Sequence, residues 1–204
     1  LSHIERKTHY LLHYFTFIIS MIGVVVAGNA LVFLLFWELM SLTSWQLILT
    51  ETKDKSTIKS ARFYFFMTHF GFVFLLMFFL LVTNGNLEID FAQMKEIAST
   101  FKYPTLLFFL LVFGFLSKAG AVPFHVWLPY AHPSAPSPVS AIMSGVMLKV
   151  AIYGFLRFIF VVLYPWHLEW GVVVLVIGSI SAVVGVLYAL SEHDIKALLA
   201  NHSI

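Results

Sequence analysis

The sequence predicts an all-α fold, a polytopic bundle of about six membrane-spanning helices. Hydrophobic residues make up 60% of the 204 residues and charged residues only 11%, and the mean hydropathy is +0.92. Soluble domains carry about 25% charged residues, and a chain of this size has too little interior to hide so much apolar surface. The apolar residues also form blocks long enough for helices of about 20 residues, which cross the hydrocarbon core.

Turn residues divide these apolar blocks into separate spans. Gly28-Asn29 is typical of a tight turn, and Asn84-Gly85-Asn86 ends a later apolar run. A polar stretch from Glu51 to Lys59 separates the second span from the third, and Trp166 and Trp170 lie before the sixth, where interfacial aromatic residues are common. The predicted spans are, in chain order, about 10–28, 30–50, 61–83, 104–129, 138–163 and 171–190.

The segment 87–102 differs from the spans. It mixes Phe91, Met94, Ile97 and Phe101 with charged residues at near-helical spacing. This pattern predicts a short amphipathic helix that lies along the membrane interface.

The fourth span is predicted to be broken. Gly120 and Pro123 lie well inside it, and a proline removes a backbone donor and clashes with the preceding turn. Such a break is tolerated inside a membrane only where protein or a water-filled cavity satisfies the freed backbone groups. A stiff connection is expected after it, formed by Pro129, Pro133, Pro136 and Pro138.

The basic residues predict the orientation of the chain. Seven of the 12 lie on the side of the N-terminus and three on the other. The positive-inside rule therefore places residue 1 in the cytoplasm. We expect the membrane to be the cell's inner (plasma) membrane. The seven are Arg6, Lys7, Lys53, Lys55, Lys59, Arg62 and Lys196, and the three are Lys95, Lys102 and Arg157.

Several classes of chemistry are not supported by the sequence. The chain has no cysteine, which excludes thiolate nucleophiles, cysteine-ligated iron–sulfur clusters and cysteine-based zinc sites. Its histidines and carboxylates do not have metal-ligand spacing, and no phosphate-binding or dinucleotide motif occurs. The net charge of +2 does not suggest a nucleic-acid partner. We therefore predict no metal site and no cofactor.

Three charged residues lie near the middle of their predicted spans: Glu38, Lys118 and Lys149. Each is within about two residues of the estimated midpoint, or about 3 Å along a helix. A charge at the bilayer centre costs at least about 2.5–3.5 kcal/mol, so these side chains should face protein or water.

Two interpretations of these charges are open. Glu38 and one lysine could form a static ion pair that holds helices together. One carboxylate cannot neutralise two ammonium groups, however, and burial disfavours the charged form of an amine, which can then release its proton. Lys118 also precedes the break by about one turn, and discontinuous helices at mid-membrane commonly mark ion pathways. These features favour a proton relay.

The histidines give a less specific signal. His125 follows Pro123 on the broken span, and His69 lies on the third span. Each is as consistent with a packed core histidine as with a relay member, although histidine suits proton transfer near neutral pH. His132, in the proline-rich connection, is either a residue at which protons enter or an ordinary loop residue.

At these charged residues the sequence resembles a known family, the antiporter-like proton-translocating subunits. These occur in respiratory complex I, in multi-subunit sodium/proton antiporters and in membrane-bound hydrogenases. Residues 36–44 resemble the glutamate-bearing helix of the family, and residues 117–129 resemble its broken lysine helix. The pattern continues through residues 131–141 and in the turn at Asp194-Ile195-Lys196. The resemblance covers nearly the whole chain.

Within that family, residues 144–149 are most similar to the large membrane subunit of hydrogenase-4 and formate hydrogenlyase complexes. Some complex I members carry a histidine earlier on this helix, where this chain has Ser144. The resemblance therefore implies that Lys149 is the central relay residue. It further implies an intact protein of about fourteen helices with two inverted five-helix repeats. Residues 1–204 would form a single transmembrane domain covering the first repeat and the start of the second.

The resemblance implies a proton-translocating subunit of a redox-driven complex, with Glu38, Lys118, Lys149 and His125 as the relay. Its partners would be other membrane subunits and, through them, a peripheral redox arm that holds the cofactors. Whether the chain belongs to an enzyme complex stays open. A subunit of a sodium/proton antiporter would use the same residues, and a passive membrane scaffold would use the charges only as static pairs.

Overall fold

A computed structural model describes residues 3–50, 54–165 and 167–204, without the side chains of residues 3–6. Some residues used in the sequence analysis lie outside the described part of the chain: Glu51, Lys53, Trp166 and the side chain of Arg6. Nearly all of the described residues are helical, and an isolated bridge between Asn29 and Asp90 is the one β-type pairing seen among them. The all-α prediction is confirmed.

Six helical spans in the described part of the chain are long and apolar enough to cross a membrane, as predicted. They cover Lys7–Val26, Ala30–Ile48, Lys55–Val82, Pro104–Ser134, Ser137–Val161 and Leu168–Ser191. The helices are α1 (His3–Val26), α2 (Ala30–Ile48), α3 (Lys55–Val82), α4 (Phe91–Ser99), α5 (Pro104–Ala119), α6 (Leu128–Ser134), α7 (Ser137–Ile142), α8 (Leu148–Val161), α9 (Leu168–Ser191) and α10 (Ile195–Asn201).

The predicted turn between the first two spans is present. Asn29 caps α2, its side chain accepting a hydrogen bond from the amide of Val32 at 2.9 Å. The segment after α3 returns to this turn, where Leu31 N–H donates to the carbonyl of Leu87 and Phe91 N–H to that of Gly28. These bonds hold α4 against the end of the bundle.

Helix α4 lies within the predicted amphipathic segment. Its apolar side faces the protein through Phe91, Met94 and Ala98, which are buried. Its position along a membrane interface stays a prediction.

The fourth span is broken where the sequence predicts it. Helix α5 ends at Ala119, and Gly120 has a φ of 77°, a left-handed conformation that glycine adopts without strain. A short 3₁₀ turn, Phe124–Trp127, follows. The helical path then continues beyond the predicted end at residue 129, because Pro129 lies in the first turn of α6, where its missing N–H costs nothing.

The proline-rich stretch is consequently shorter as a connection than the sequence suggested. Pro129 and Pro133 both lie within α6, and Pro138 lies in the first turn of α7. Only Ala135 and Pro136 separate the two helices.

The fifth span contains a feature that the sequence analysis did not foresee. Residues Met143–Met147 form a π-helical turn between α7 and α8. Such turns insert an extra residue into a helix and occur frequently at functional sites. This one immediately precedes the turn that carries Lys149.

Helices α3 and α5 approach each other closely because glycine lies between them. A Cβ on Gly71 would overlap the hydroxyl of Ser117 and would lie 2.9 Å from the carbonyl oxygen of Gly114. The contact therefore depends on the absence of a side chain. It sets the position of the end of α5, which carries Lys118.

Candidate functional site

Four titratable side chains lie near the middle of the membrane spans. Glu38, His69, Lys118 and Lys149 are each within about one residue of the centre of their spans as the structure bounds them. Direct contacts also place residues of different helices at one depth, because Glu38 contacts His69 and Lys118 contacts Ser41. The common depth that the sequence suggested for three charges thus extends to His69.

Lys118 is the most enclosed charged residue in the described part of the chain, with 1% of its surface exposed. It lies in the last turn of α5, where the partial negative charge of a helix C-terminus favours a cation. Its ammonium group donates a hydrogen bond to the hydroxyl of Ser41. Its nitrogen also lies 5.0 Å from the centre of the Trp37 ring, a favourable cation–π position.

The Ser41 hydroxyl can only be an acceptor toward Lys118. It donates its own proton to the carbonyl of Trp37, at 3.0 Å. Lys118 is therefore held by neutral groups of α2 rather than by a carboxylate.

The structure does not bring Glu38 into a salt bridge with Lys118, whereas one interpretation of the sequence paired Glu38 with a lysine. The Glu38 carboxylate instead lies 2.6 Å from Nε2 of His69, the one salt bridge seen among the described residues. It still interacts with Lys118 electrostatically. The second carboxylate oxygen, Oε2, is buried without a hydrogen-bond partner in the described structure.

A buried hydroxyl cluster lies next to Lys118, toward the start of α3. The phenol of Tyr64 lies 2.6 Å from the hydroxyl of Ser44 and 3.5 Å from the sulfur of Met147. Ser44 donates to the carbonyl of Met40 at 2.7 Å, so its oxygen accepts from Tyr64. The cluster joins α2 and α3 to the π-helical turn.

The broken end of α5 is closed by an aromatic side chain. The indole of Trp127 donates to the carbonyl of Ser117 at 2.9 Å. This bond satisfies a carbonyl that the helix end leaves free. Trp127 also packs on Tyr64, with ring centroids 4.9 Å apart.

His132 is not a loop residue, so that interpretation is wrong. It lies in α6, is 1% exposed, and stacks on Trp127. Its Nδ1 lies 3.1 Å from the hydroxyl of Ser140, while Nε2 is buried without a partner in the described structure. Buried polar atoms of this kind are commonly satisfied by water.

His125 points toward α9. Its ring lies 6.0 Å from that of Tyr188, and its Nδ1 is buried without a hydrogen-bond partner in the described structure. No hydrogen bond or ring contact joins it to Lys118 among the described residues. The backbone of the break also reaches α9, since Val122 N–H donates to the hydroxyl of Ser181 at 2.9 Å.

Lys149 lies apart from this cluster. It is exposed on α8, on the same face as Ile152 and Leu156, which line a groove of about 470 Å³ against α9 and α10. Within the described chain it makes no hydrogen bond or salt bridge to Lys118 or Glu38.

Sequence reasoning missed the hydroxyl groups and left His69 undecided. Ser41 follows Glu38 by three residues and Ser44 follows Ser41 by three, so each hydroxyl is a helical neighbour of the polar residue before it on an otherwise apolar helix. That spacing could have indicated them. In the described part of the chain, no group of three or more His, Asp or Glu side chains is placed to hold a metal ion.

The fold and the site together define a polytopic membrane protein with titratable side chains at mid-depth and a lysine at a helix break. The chain belongs to the family described as NADH:quinone oxidoreductase/Mrp antiporter, transmembrane, whose sequence profile matches residues 27–204. The resemblance found in the sequence is thereby confirmed.

Named relatives agree with this assignment. The chain is 45% identical over 186 residues to hydrogenase-4 component B of Escherichia coli, which covers 90% of the chain and 28% of that protein. It is 31% identical over 185 residues to NADH-quinone oxidoreductase subunit M of Rickettsia bellii, covering 90% of the chain and 37% of that protein. The chain thus spans less than half the length of these relatives.

A solved structure has the same fold. A chain of the Mrp complex from Dietzia sp. aligns with a TM-score of 0.80 and 26% identity, over 92% of this chain and 36% of that one. This chain therefore shares its fold with a chain of that complex.

Proposed function

We propose that this chain is part of a proton-translocating membrane subunit of a redox-driven complex, similar to hydrogenase-4 and formate hydrogenlyase or to NADH-quinone oxidoreductase. One observation carries the proposal. Lys118 is buried at mid-span, at a helix break, and its ammonium bonds a neutral hydroxyl rather than a carboxylate. A lysine with a purely structural role would be paired with a carboxylate, because an uncompensated buried ion costs about 3–5 kcal/mol.

The proposed relay runs between the two lysines. Burial disfavours the charged form of an amine, so a lysine in such a position can pass on its proton. Protons would enter from the cytoplasm by way of His132, whose buried Nε2 supports a water-bridged step. They would reach Lys118, then His125 and Lys149, and move laterally to the rest of the full-length protein.

The proposed partners are other membrane subunits and, through them, a peripheral redox arm. The chain itself would contribute no cofactor. The proposed location is the plasma membrane, with residue 1 in the cytoplasm. Cysteines at Lys55 and Lys196 should then label from the cytoplasm and one at Lys95 from the opposite side. Labelling of the Lys55 and Lys95 positions from the same face would contradict the number of spans.

A subunit of a sodium/proton antiporter is the second candidate function. The likeness to the solved Mrp complex supports it. Proton flux that depends on sodium and continues without a redox substrate would favour the antiporter. Flux that needs the redox reaction and is indifferent to sodium would favour the first candidate.

The decisive variant is Lys118→Met in the full-length protein within its complex. Methionine fills a similar volume without the charge, so the complex should assemble, while proton uptake into sealed vesicles falls by at least about tenfold. Lys102→Met is the matched control, because Lys102 is exposed and outside the spans. Full flux in Lys118→Met would contradict the relay and leave only the interpretation of the chain as a passive membrane scaffold.

A further inference from the structure

The orientation of the His69 ring is fixed from within its own helix. Its Nδ1 lies 2.8 Å from the carbonyl oxygen of Phe65, and its ring stacks on the Phe65 ring with centroids 3.8 Å apart. A carbonyl oxygen only accepts hydrogen bonds. Nδ1 therefore carries a proton, and Nε2 is the ring atom that can gain or lose one.

Nε2 of His69 faces Oε1 of Glu38 at 2.6 Å. With Nδ1 protonated, two arrangements make this a hydrogen bond. Either the carboxylic acid of Glu38 donates to a neutral imidazole, or an imidazolium donates to the carboxylate. Both hold one proton between the two atoms, and removing that proton leaves two acceptors facing each other.

We propose that His69 is a further member of the relay and forms with Glu38 a dyad that stores one mobile proton. This inference rests on the proposed function and deepens it. His69 binds Oε1 of Glu38, while the buried Oε2 has no partner in the described structure. That second oxygen has no other partner among the described residues, and the carboxylate carries a single negative charge, so His69 and Lys118 compete for that charge.

The surroundings of the dyad favour a proton that moves rather than a fixed ion pair. The side chains of His69 and Glu38 are 31% and 22% exposed, at mid-span on the surface formed by α2 and α3. A charged pair at mid-span is costly unless protein or water surrounds it, and the neutral form of the pair avoids that cost.

The dyad therefore gives Glu38 two states. When His69 holds the carboxylate, Lys118 stays on Ser41, as in this structure. When the dyad proton passes to a water or a neighbouring group, Glu38 is a bare carboxylate and attracts the Lys118 ammonium. The presence of the dyad proton thus controls whether Lys118 forms an ion pair with Glu38.

The test uses His69→Gln in the full-length protein within its complex. Glutamine can hydrogen-bond Glu38 but cannot bind a proton, so proton flux should fall by at least about tenfold. His13→Gln is the matched control, since His13 has the same Nδ1 contact to a carbonyl four residues earlier, at 2.9 Å, on another span. Its flux should equal that of the unmodified protein.

A second readout reports the dyad itself. Infrared difference spectra should contain a carboxylic acid band that disappears in Glu38→Gln, shifts in His69→Gln and does not move in His13→Gln. An unshifted band, or full flux in His69→Gln while Lys118→Met is inactive, overturns the dyad and leaves the proposed function intact. Full flux in Lys118→Met removes the proposed function instead.

Glu38→Asp keeps the test decisive if His69→Gln does not assemble. The shorter aspartate keeps the charge but lengthens the contact with the fixed His69 ring, so the band should shift and only part of the flux should remain. An unshifted band with full flux would overturn the proposal.

Discussion

Two lysines lie at the same depth of this bundle in opposite surroundings. Lys118 is buried, donates a hydrogen bond to the Ser41 hydroxyl, and lies 5.0 Å from the centre of the Trp37 ring. Lys149 is exposed on α8, directly after the π-helical turn. The sequence predicted mid-span depth for both but did not predict that one is buried and the other exposed.

The difference between the two lysines shows which part of the proposed relay has its surroundings within this chain. The two groups that contact Lys118, the Ser41 hydroxyl and the Trp37 ring, both lie on α2 within this chain. A lysine at mid-span cannot face lipid without a large cost, so Lys149 needs protein or water that the described residues do not supply. One lysine is thus held in a defined position, while the described residues leave the other exposed.

The largest expected effect comes from breaking the packing beside Lys118. Gly71→Leu forces a side chain against Ser117 and the carbonyl of Gly114, and such overpacking costs about 1–3 kcal/mol or more. Gly145→Leu is the matched change beside Lys149, where an added Cβ meets nothing within 4 Å in the described chain. The thermal midpoint of the assembled complex should fall clearly only in Gly71→Leu.

An equal fall in both glycine variants would contradict the comparison. It would show that the face of α8 around Lys149 is packed in the full-length protein as tightly as the contact between α3 and α5.

Thiol labelling sharpens the same contrast. This stretch of chain has no cysteine, so a cysteine placed at either lysine is a clean probe once any others are removed. Lys149→Cys should react with a small hydrophilic thiol reagent at least about tenfold faster than Lys118→Cys, equivalent to about 1.4 kcal/mol. Equal rates would mean that the surroundings of Lys149 are dry.

The sequence predicted the parts of this structure that depend on composition along the chain. Six apolar blocks, the turn at Gly28-Asn29 and the break at Gly120 and Pro123 follow from residue types alone. The rotation of each helix about its own axis cannot be predicted in this way, because it is set by close contacts such as that of Gly71 with Ser117.

The partners within the site depended on that rotation. Glu38 pairs with His69, and Lys118 with Ser41, because α2 presents two adjacent faces to α3 and α5. Spacing along one chain could suggest their depth but could not choose between these partners. The π-helical turn was missed for a similar reason, since Met143–Met147 reads as ordinary apolar helix.

A smaller effect is expected from Tyr64→Phe. The variant removes a buried hydroxyl that bonds Ser44, and a typical hydrogen bond contributes about 0.5–1.5 kcal/mol. The thermal midpoint should fall slightly, with Tyr130→Phe, an exposed tyrosine, unchanged. Flux per assembled complex should not change, because the hydroxyl chain ends at the carbonyl of Met40 and carries no proton onward. A lower flux per complex would place Tyr64 in the relay.

The smallest effect is expected from Ser41→Ala, which leaves both lysines in place and removes only the acceptor of Lys118. The freed ammonium can then turn to Oε2 of Glu38, which has no other partner in the described structure. A closer ion pair favours the protonated lysine and slows release of its proton. Proton flux should fall about threefold, the kinetic equivalent of about 0.7 kcal/mol.

Ser41→Thr is the control for this last variant, because it keeps a hydroxyl at the same position and should retain the flux of the unmodified protein. Adding Glu38→Gln to Ser41→Ala removes the carboxylate that the freed lysine would approach, so the second change should cost less flux than it does in the presence of Ser41. Strictly additive losses would show that Ser41 and Glu38 act on Lys118 independently. Lys118 would then be held by Ser41 and Trp37, without competition from Glu38 for its charge.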